Sequence, residues 1–327
     1  MSLPYYLRLL CLCFATFFVM HAGCWLVIRS LVPAVVRIAK TMRPRLSGRL
    51  LFGLRMAPVA GSLFLVIGFC VPSYVWLEPD IASERVGPAC LLAAALGATV
   101  WAASLLRGLA AFLRTERYMG QCQRKSPGNA VVQDAAAEVL LVNDRAAVMA
   151  VAGVLHPRLI VSQAVIDTLT PEQKEAAFRH EAAHRISRDN LKKFLFLLAP
   201  DILPFVSGLS NLERGWTKFT EWAADDHAVD GNQQRALALA SALVEVAKLG
   251  VIPAPSYLLS SLVDDDRDLE TRVDRLLREP AYAEKPLAPV AAFARNAALV
   301  ITGVAATMLL WPGSLSGVHQ LLEHLVQ

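Results

Sequence analysis

The stretch FRHEAAHRISRD, from Phe178 to Asp189, decides how the rest of the chain is interpreted. His180 and His184 are four residues apart, so a helix would place both imidazoles on one face, where they can bind one ion. Glu181 would project about 100° round from His180, beside that ion, where a carboxylate can accept a proton from water. With 7 histidines in 327 residues, and no more glutamates than the 28 acidic residues, chance predicts at most about 0.01 matches to H-E-x-x-H. A core helix that carries these residues by coincidence is the alternative.

A later stretch, TEWAADDHAV (Thr220 to Val229), supplies candidates for further ligands. Catalytic zinc usually takes three protein ligands and leaves one position for water. Glu221 is the candidate third ligand, and Asp225 shares its helix face, where it can accept the N–H of a ligating histidine. Asp226 points elsewhere, and His227 is expected to be a surface or core histidine. Taken alone, Glu221 and Asp225 would also fit an ordinary solvated helix face.

The composition indicates a membrane protein that carries one compact domain. Of the 327 residues, 55% are hydrophobic and 18% are charged, against about 25% charged in soluble domains. The mean hydropathy is +0.44. No run of basic residues interleaved with aromatic residues suggests nucleic-acid binding. The six cysteines form no C-x-x-C pair and are interpreted as small buried apolar residues, so a cysteine metal site is not expected.

Three apolar runs are long enough to cross a bilayer as helices, and a fourth is shorter. The three predict transmembrane helices at about 7–29, 57–77 and 86–106. The first could be read as a signal peptide, but it is long and lacks a clear cleavage site, so a membrane anchor is expected. The fourth run, Ala297 to Trp311, predicts a last span. A further apolar segment, Phe194 to Val206, fits either a bent helix pair in the domain core or a hairpin that dips into the membrane.

The basic residues predict how the chain is oriented in the membrane. Seven of them and no acidic residue lie between the first two runs: Arg29, Arg37, Lys40, Arg43, Arg45, Arg49 and Arg55. A second basic group follows the third run. The positive-inside rule places both groups in the cytoplasm and the N-terminus outside. The region from about Arg107 to Arg295 is then cytoplasmic, at the cytoplasmic (inner) membrane of the cell. The apolar cores of these three runs, Leu9 to Ile28, Ala57 to Leu77 and Val86 to Leu106, contain no charged residue, which argues against a transporter.

The region after the third span predicts a small α+β domain. Three short apolar runs, at 138–144, 146–153 and 157–162, predict strands of an antiparallel sheet. Thr170, Pro171 and Gln173 fit the N-cap, first and capping-box positions of a helix that continues to about Arg188. Three more helices are predicted, from about Thr217 to Val229, over a run that ends at Gly250, and over an amphipathic run that stops at Pro280.

The combination of motifs resembles the BlaR/MecR group of membrane zinc peptidases. The matching segments are HEAAHRISRDN (180–190), EWAAD (221–225), the run at 152–173 and LETRVDRLL (269–277). HtpX-type membrane peptidases share H-E-x-x-H and E-x-x-A-D. The resemblance implies an α-helical membrane protein with an inserted α+β gluzincin-type metallopeptidase domain, built from a small antiparallel sheet and the H-E-x-x-H helix. It also implies Zn²⁺ held by His180, His184 and Glu221, with Glu181 as general base and Asp225 supporting a ligand.

The expected organisation is a membrane region at 1–115, a cytoplasmic zinc peptidase domain at 116–290, and a fourth span with a short tail at 291–327. BlaR/MecR proteins carry an extracellular sensor after the fourth span, whereas only 312–327 follow here. A direct antibiotic sensor is therefore not expected, and a signal would come from a sensor or repressor partner or through the membrane helices.

The expected activity is endopeptidase cleavage of a regulatory or membrane protein at the bilayer. The alternatives are HtpX-type quality control and a non-catalytic signalling or scaffold protein with a structural metal site. A substrate chain is expected to add as a strand to the sheet, around Ala147 to Val151. Tyr257, His227 and Arg272 are unranked candidates for stabilising the oxyanion.

Overall fold

The computed structural model of the chain describes residues 4–77, 86–126, 139–143, 148–202, 209–250, 258–262 and 266–278. The long apolar helices are α1 (Tyr5–Ala39), α2 (Pro44–Leu65), which continues through one turn of π-helix (Val66–Cys70) into α3 (Val71–Leu77), and α4 (Pro88–Lys125). The remaining elements are β1 (Val139–Val142), β2 (Met149–Ala152), β3 (Arg158–Ser162), α5 (Gln163–Thr168), α6 (Pro171–Ser187), α7 (Asp189–Leu198), α8 (Ser210–Val229), α9 (Gln233–Lys248), β4 (Leu259–Ser261) and α10 (Asp266–Arg278).

Three helices are long and apolar enough to cross a membrane: Tyr5–Ala39, Pro44–Leu77 and Pro88–Lys125. They coincide with the three predicted spans, and they indicate that the protein is associated with a membrane. The predicted fourth span lies outside the described residues. At about 57 Å, α4 is much longer than the 30 Å hydrocarbon core, so one end of it extends beyond the bilayer.

The end of α4 packs on the sheet. Cys122, with the partly buried Tyr118 and Met119, contacts an apolar layer formed by the strand residues Leu140, Val142, Ala150, Ala152 and Ile160. The opposite face of the sheet packs on α5, α6 and α9 through a larger cluster that includes Met149, Val161, Ala177 and Leu243. One helix therefore runs from the membrane region to the sheet that supports the H-E-x-x-H helix.

The sheet is mixed, so the expectation of an antiparallel sheet was wrong. Its strand order is β1-β3-β2-β4. The β2–β3 and β2–β4 pairs are antiparallel, but β1 pairs with β3 in parallel. The chain reverses direction between β1 and β2 and again between β2 and β3, so β1 and β3 run in the same direction. Because β3 lies next to β1 in the sheet, these two strands pair in parallel. Residue alternation along each strand carries no information about that order.

The predicted substrate edge at Ala147 to Val151 was also wrong. The described part of this segment ends in β2, where Ala150 and Val151 pair with β3 on one side and β4 on the other. No hydrogen-bonding edge remains there for another chain. Among the described strands, the outer strands of the sheet are β1 and β4.

Segment 194–202 lies against the membrane helices. Leu198 packs directly against Gly108 of α4, where a Cβ would clash with the leucine side chain. Phe196 contacts Phe52 of α2. The carbonyl of Pro200 bonds at 3.0 Å to Nε2 of His21, a residue inside the first predicted span. These contacts favour the interpretation that the described part of the segment approaches the membrane. Residues 203–206 lie outside the described residues.

The helix predictions for the domain are largely confirmed. Thr170 and Gln173 form the capping box of α6, with Pro171 at its first position. Asn232 caps α9, and α9 and α10 match their predicted segments. The second predicted helix starts earlier than expected, because α8 begins at Ser210 rather than near Thr217. The additional turns pack on α1 and α2 through Leu212 and Trp216.

We expect Gly97→Ala to destabilise the protein, because α1 and α4 touch at this glycine. A Cβ there would lie 2.5 Å from the Phe14 carbonyl oxygen, so the helices must separate. The expected loss is about 1–3 kcal/mol in the free energy of unfolding, measured as thermal unfolding in detergent. Gly120→Ala is the matched control, since nothing lies within 4 Å of its Cβ and alanine favours a helix. Unchanged stability of Gly97→Ala would contradict the close contact.

Candidate metal centre

Helix α6 places His180 and His184 one turn apart, with both side chains fully buried. Their Nε2 atoms are 3.1 Å apart. Ala176, Ala177 and Ala183 fill the neighbouring positions, and these small residues let α6 lie close to α8 and α9. The sequence therefore produces two imidazole nitrogens that point at one small volume inside the domain.

Glu221 of α8 completes a group that could hold a metal ion. Its Oε2 lies 3.4 Å from Nε2 of His180, and its Oε1 lies 3.5 Å from Nε2 of His184. These two distances end at different oxygens of Glu221, and one ligand atom from each of the three residues can be chosen so that all three atoms lie within 4.8 Å of one another. The three side chains are thus close enough together to bind one metal ion.

A carboxylate lies next to the Nδ1 atom of each imidazole. Nδ1–H of His184 donates to Oδ2 of Asp189 at 2.9 Å, since an ionised carboxylate can only accept. Nδ1 of His180 lies 3.0 Å from Oδ1 of Asp225, a charge contact that is less well aligned as a hydrogen bond. Both contacts direct Nε2 towards the shared volume, as supporting carboxylates do at histidine metal sites. Asp225 therefore lies beside His180, and its role as the partner of a metal-binding histidine stays a prediction.

Asp189 is a supporting residue that the sequence analysis missed. Helix α6 ends because Arg188 adopts the left-handed conformation at φ 53°, and this turn brings Asp189 back towards His184. Asn190 fixes the turn, because its Nδ2 donates to the Val151 carbonyl at 2.8 Å and to the Gly153 carbonyl at 3.1 Å. Helical spacing cannot predict a contact across such a reversal. The only available signal was the adjacent Asp-Asn pair at the expected end of the helix.

Arg272 of α10 joins the two acidic residues of α8. It donates to Asp225 through Nε at 3.0 Å and Nη2 at 2.7 Å, and its Nη1 lies 3.1 Å from Oε2 of Glu221. Nη1 also donates to the Leu262 carbonyl at 2.7 Å. With its donors engaged in this way, Arg272 positions Asp225 and Glu221 and is poorly placed to bind a substrate oxyanion as well.

The other two oxyanion candidates have different outcomes. His227 is exposed, whereas the ligand group is buried, so it does not belong to the site. Tyr257 lies outside the described residues. Asp226 turns away from the site and pairs with Arg275.

Glu181 is the least satisfied polar group of the site. Its side chain is only 1% exposed, and neither carboxylate oxygen has a hydrogen-bond partner among the residues that the structure describes. Burial raises the pKa of Glu181 to about 7, although His180 and His184 act in the opposite direction. A buried carboxyl with no partner and a pKa near neutrality is suited to accepting and returning a proton.

The formal charges of the site also fit a divalent cation. Four carboxylates surround the imidazoles: Glu181, Asp189, Glu221 and Asp225. Two cations, Arg272 and Lys192, contact them, so with neutral histidines the described residues leave a formal charge of −2 when Glu181 is ionised and −1 when it is protonated. An uncompensated charge of this size is costly inside a protein. A bound divalent ion would neutralise it.

Without an ion, the imidazoles carry part of the compensation. Burial alone would lower the pKa of His184, but the Glu221 charge and the bond to Asp189 raise that pKa to about 10. Burial opposes ionisation of Glu221, yet the charges of His184 and Arg272 hold the pKa of Glu221 well below its usual value. A proton therefore occupies the volume into which both imidazoles point.

No protein-family model matches this chain, and no curated protein is significantly similar to it in sequence. The centre is therefore defined by its motif, its geometry and its charge.

We expect metal binding to release about one proton per ion at pH 7. The pKa of His184 near 10 means that the metal-free site is protonated at neutral pH, and an ion must displace that proton. The observed affinity should rise roughly tenfold per pH unit between pH 6 and 8 and fall on acidification. Calorimetric titration with Zn²⁺ in buffers of different ionisation enthalpy measures the release.

His227→Ala is the control for this titration, because it removes an exposed imidazole and should leave the proton release unchanged. A pH-independent affinity, or binding without proton release, would contradict the arrangement of the site.

Proposed function

We propose that the protein is a membrane-bound, zinc-dependent endopeptidase. The observation that carries this proposal is Glu181, a buried carboxyl without a partner, next to His180 on the helix that also supplies His184. A purely structural metal site needs ligands and their supports but no additional ionisable group. The resemblance of the motifs to BlaR/MecR and HtpX-type peptidases supports the same reaction class.

The donor set favours zinc among the common divalent ions. Two imidazoles and one carboxylate, with room for a fourth donor, are typical of catalytic zinc in peptidases. Hard ions such as Mg²⁺ and Ca²⁺ prefer six or more oxygen ligands, which this site does not offer among the described residues. The close grouping of the three ligands and the negative charge of the site are consistent with the same ion.

The side chains of the site then have distinct tasks. A bound zinc ion would polarise the scissile carbonyl and acidify the attacking water. Glu181 takes the proton of that water and passes it to the leaving amine. Asp189 and Asp225 keep His184 and His180 oriented, and Arg272 fixes Asp225 and Glu221. The low exposure of the whole group keeps bulk water away from these charges.

The outer strand β4 is the better candidate for binding an extended substrate. It pairs with β2 on one side, and among the described strands none pairs with its other side. It also lies close to the site, because Ser260 donates to Asn190 at 3.1 Å and the Leu262 carbonyl binds Arg272. A peptide added to β4 would use backbone hydrogen bonds, which suits a protein substrate of varied sequence.

The basic residues next to the spans favour a site on the cytoplasmic side of the cytoplasmic membrane. Substrates would then be cytosolic regulators or membrane proteins. The membrane region contacts the elements around the site in two places. Helix α4 packs on the sheet, and α8 packs on α1 and α2.

We expect Glu181→Gln to abolish proteolysis while the protein still inserts, folds and binds zinc. Glutamine keeps the size of the side chain but cannot take up a proton, and a positioned base contributes at least about 10²-fold to the rate. Cleaved membrane and cytosolic proteins are compared in cells that express either form, and the metal content of the purified proteins is measured in parallel.

Glu175→Gln is the matched control, since it makes the same change at an exposed position of α6. A cleavage product that persists undiminished with Glu181→Gln would come from another protease. The protein would then be better explained as a signalling or scaffold protein with a structural metal site.

A further inference from the structure

A cavity of about 280 Å³ lies where the membrane helices meet the domain. Its walls come from four helices: the first turns of α2, the last turn of α6, the first turn of α7 and the middle of α8. This volume is near the lower limit of ligand pockets, about 300 Å³, and suits a small headgroup rather than a folded partner.

The cavity is basic. Arg45 and Arg49 of α2 line it, together with Lys192 of α7. Arg45 and Arg49 are exposed, and neither has an acidic partner within the described ranges. Unpaired arginines at a cavity wall provide planar sets of donors that match the oxygens of a phosphate group.

One acidic residue, Asp189, also lines the cavity, but its charge is already used. Its side chain is 2% exposed, with Oδ2 bonded to His184 and Oδ1 bonded to Lys192 at 2.9 Å. It therefore offers little repulsion to an anion. Apolar lining comes from Ile186, which is exposed, and from Trp216 and Phe219.

The position along α2 points to lipid as the source of the anion. Arg49 directly precedes the apolar part of α2, whose one interior charge, Arg55, is buried and donates to Glu213 at 2.7 Å. Arg49 thus lies near the end of a candidate membrane span, and Arg45 lies one turn further from it. Basic residues beside the end of a membrane helix attract anionic lipid headgroups.

We propose that this cavity binds the headgroup of an anionic phospholipid, with Arg45, Arg49 and Lys192 as its phosphate contacts. The site is separate from the metal ligands, but Asp189 and its partner Lys192 belong both to the cavity and to the charged surroundings of the metal centre. A headgroup bound here lies against the residue that orients His184.

The test measures retention of phosphatidylglycerol by the full-length, detergent-solubilised protein in native mass spectrometry, with phosphatidylcholine as the zwitterionic reference. Arg45→Gln combined with Arg49→Gln should weaken phosphatidylglycerol binding roughly 30-fold, given the usual contribution of each basic residue at a membrane surface. Arg37→Gln combined with Lys40→Gln is the matched control, because both residues are exposed and basic but do not line the cavity. The control pair should retain phosphatidylglycerol.

Equal loss in both double variants would show diffuse attraction to the basic segment and would overturn the proposal, as would equal retention in both. Ser187→Glu provides an independent variant, since it adds a negative charge to the cavity wall without removing a basic residue. It should also reduce retention of phosphatidylglycerol.

Two competitors distinguish the source of the anion. Displacement of phosphatidylglycerol by equimolar inorganic phosphate would identify a soluble phosphate as the ligand and overturn the lipid assignment. Displacement by an acidic peptide at lower concentration than by short-chain phosphatidylglycerol would identify a protein segment instead. The proposal expects only anionic phospholipids to compete at low concentration.

Discussion

The buried charge between α6 and α8 is the constraint on which the rest of the domain depends. Glu221 and Asp225 bring two negative charges into contact with the imidazoles of α6, and burial makes these charges costly unless they are compensated. Arg272 of α10 compensates one of these charges, and a bound divalent ion would compensate the other together with the charge of an ionised Glu181. The contacts that compensate these buried charges therefore hold α6, α8 and α10 in position relative to one another.

Helix α8 connects this charge to the membrane region. Its first half packs on α1 and α2 through Leu212 and Trp216, and Glu213 pairs with the buried Arg55. Its second half supplies Glu221 and Asp225. A shift of α2 relative to the domain would therefore move the carboxylates of the site, since a helix transmits displacement along its length. The proposed lipid cavity lies between these same elements.

The residues that can be predicted from the sequence are those set by short-range periodicity. The spacing of His180 and His184, the capping box of α6 and the lengths of the apolar runs follow from local rules. Contacts that depend on chain reversal do not. Asp189 reaches His184 only through the left-handed turn at Arg188.

The order of the strands shows the same limit. It depends on the packing of three layers, so neither the parallel β1–β3 pair nor the interior position of β2 could be predicted from residue alternation. Arg272 could be identified from the sequence as a candidate site residue, but its role could not, because that role depends on how α10 packs over α8.

X-ray absorption at the metal edge of the purified protein tests the central claim most directly. We expect one zinc per chain, bound by nitrogen and oxygen at about 2.0–2.2 Å, with outer-shell scattering from two imidazoles. His184→Ala should remove one imidazole from the spectrum and most of the metal from the protein. A spectrum with sulfur ligands, or a metal content unaffected by His184→Ala, would contradict the assignment of this centre.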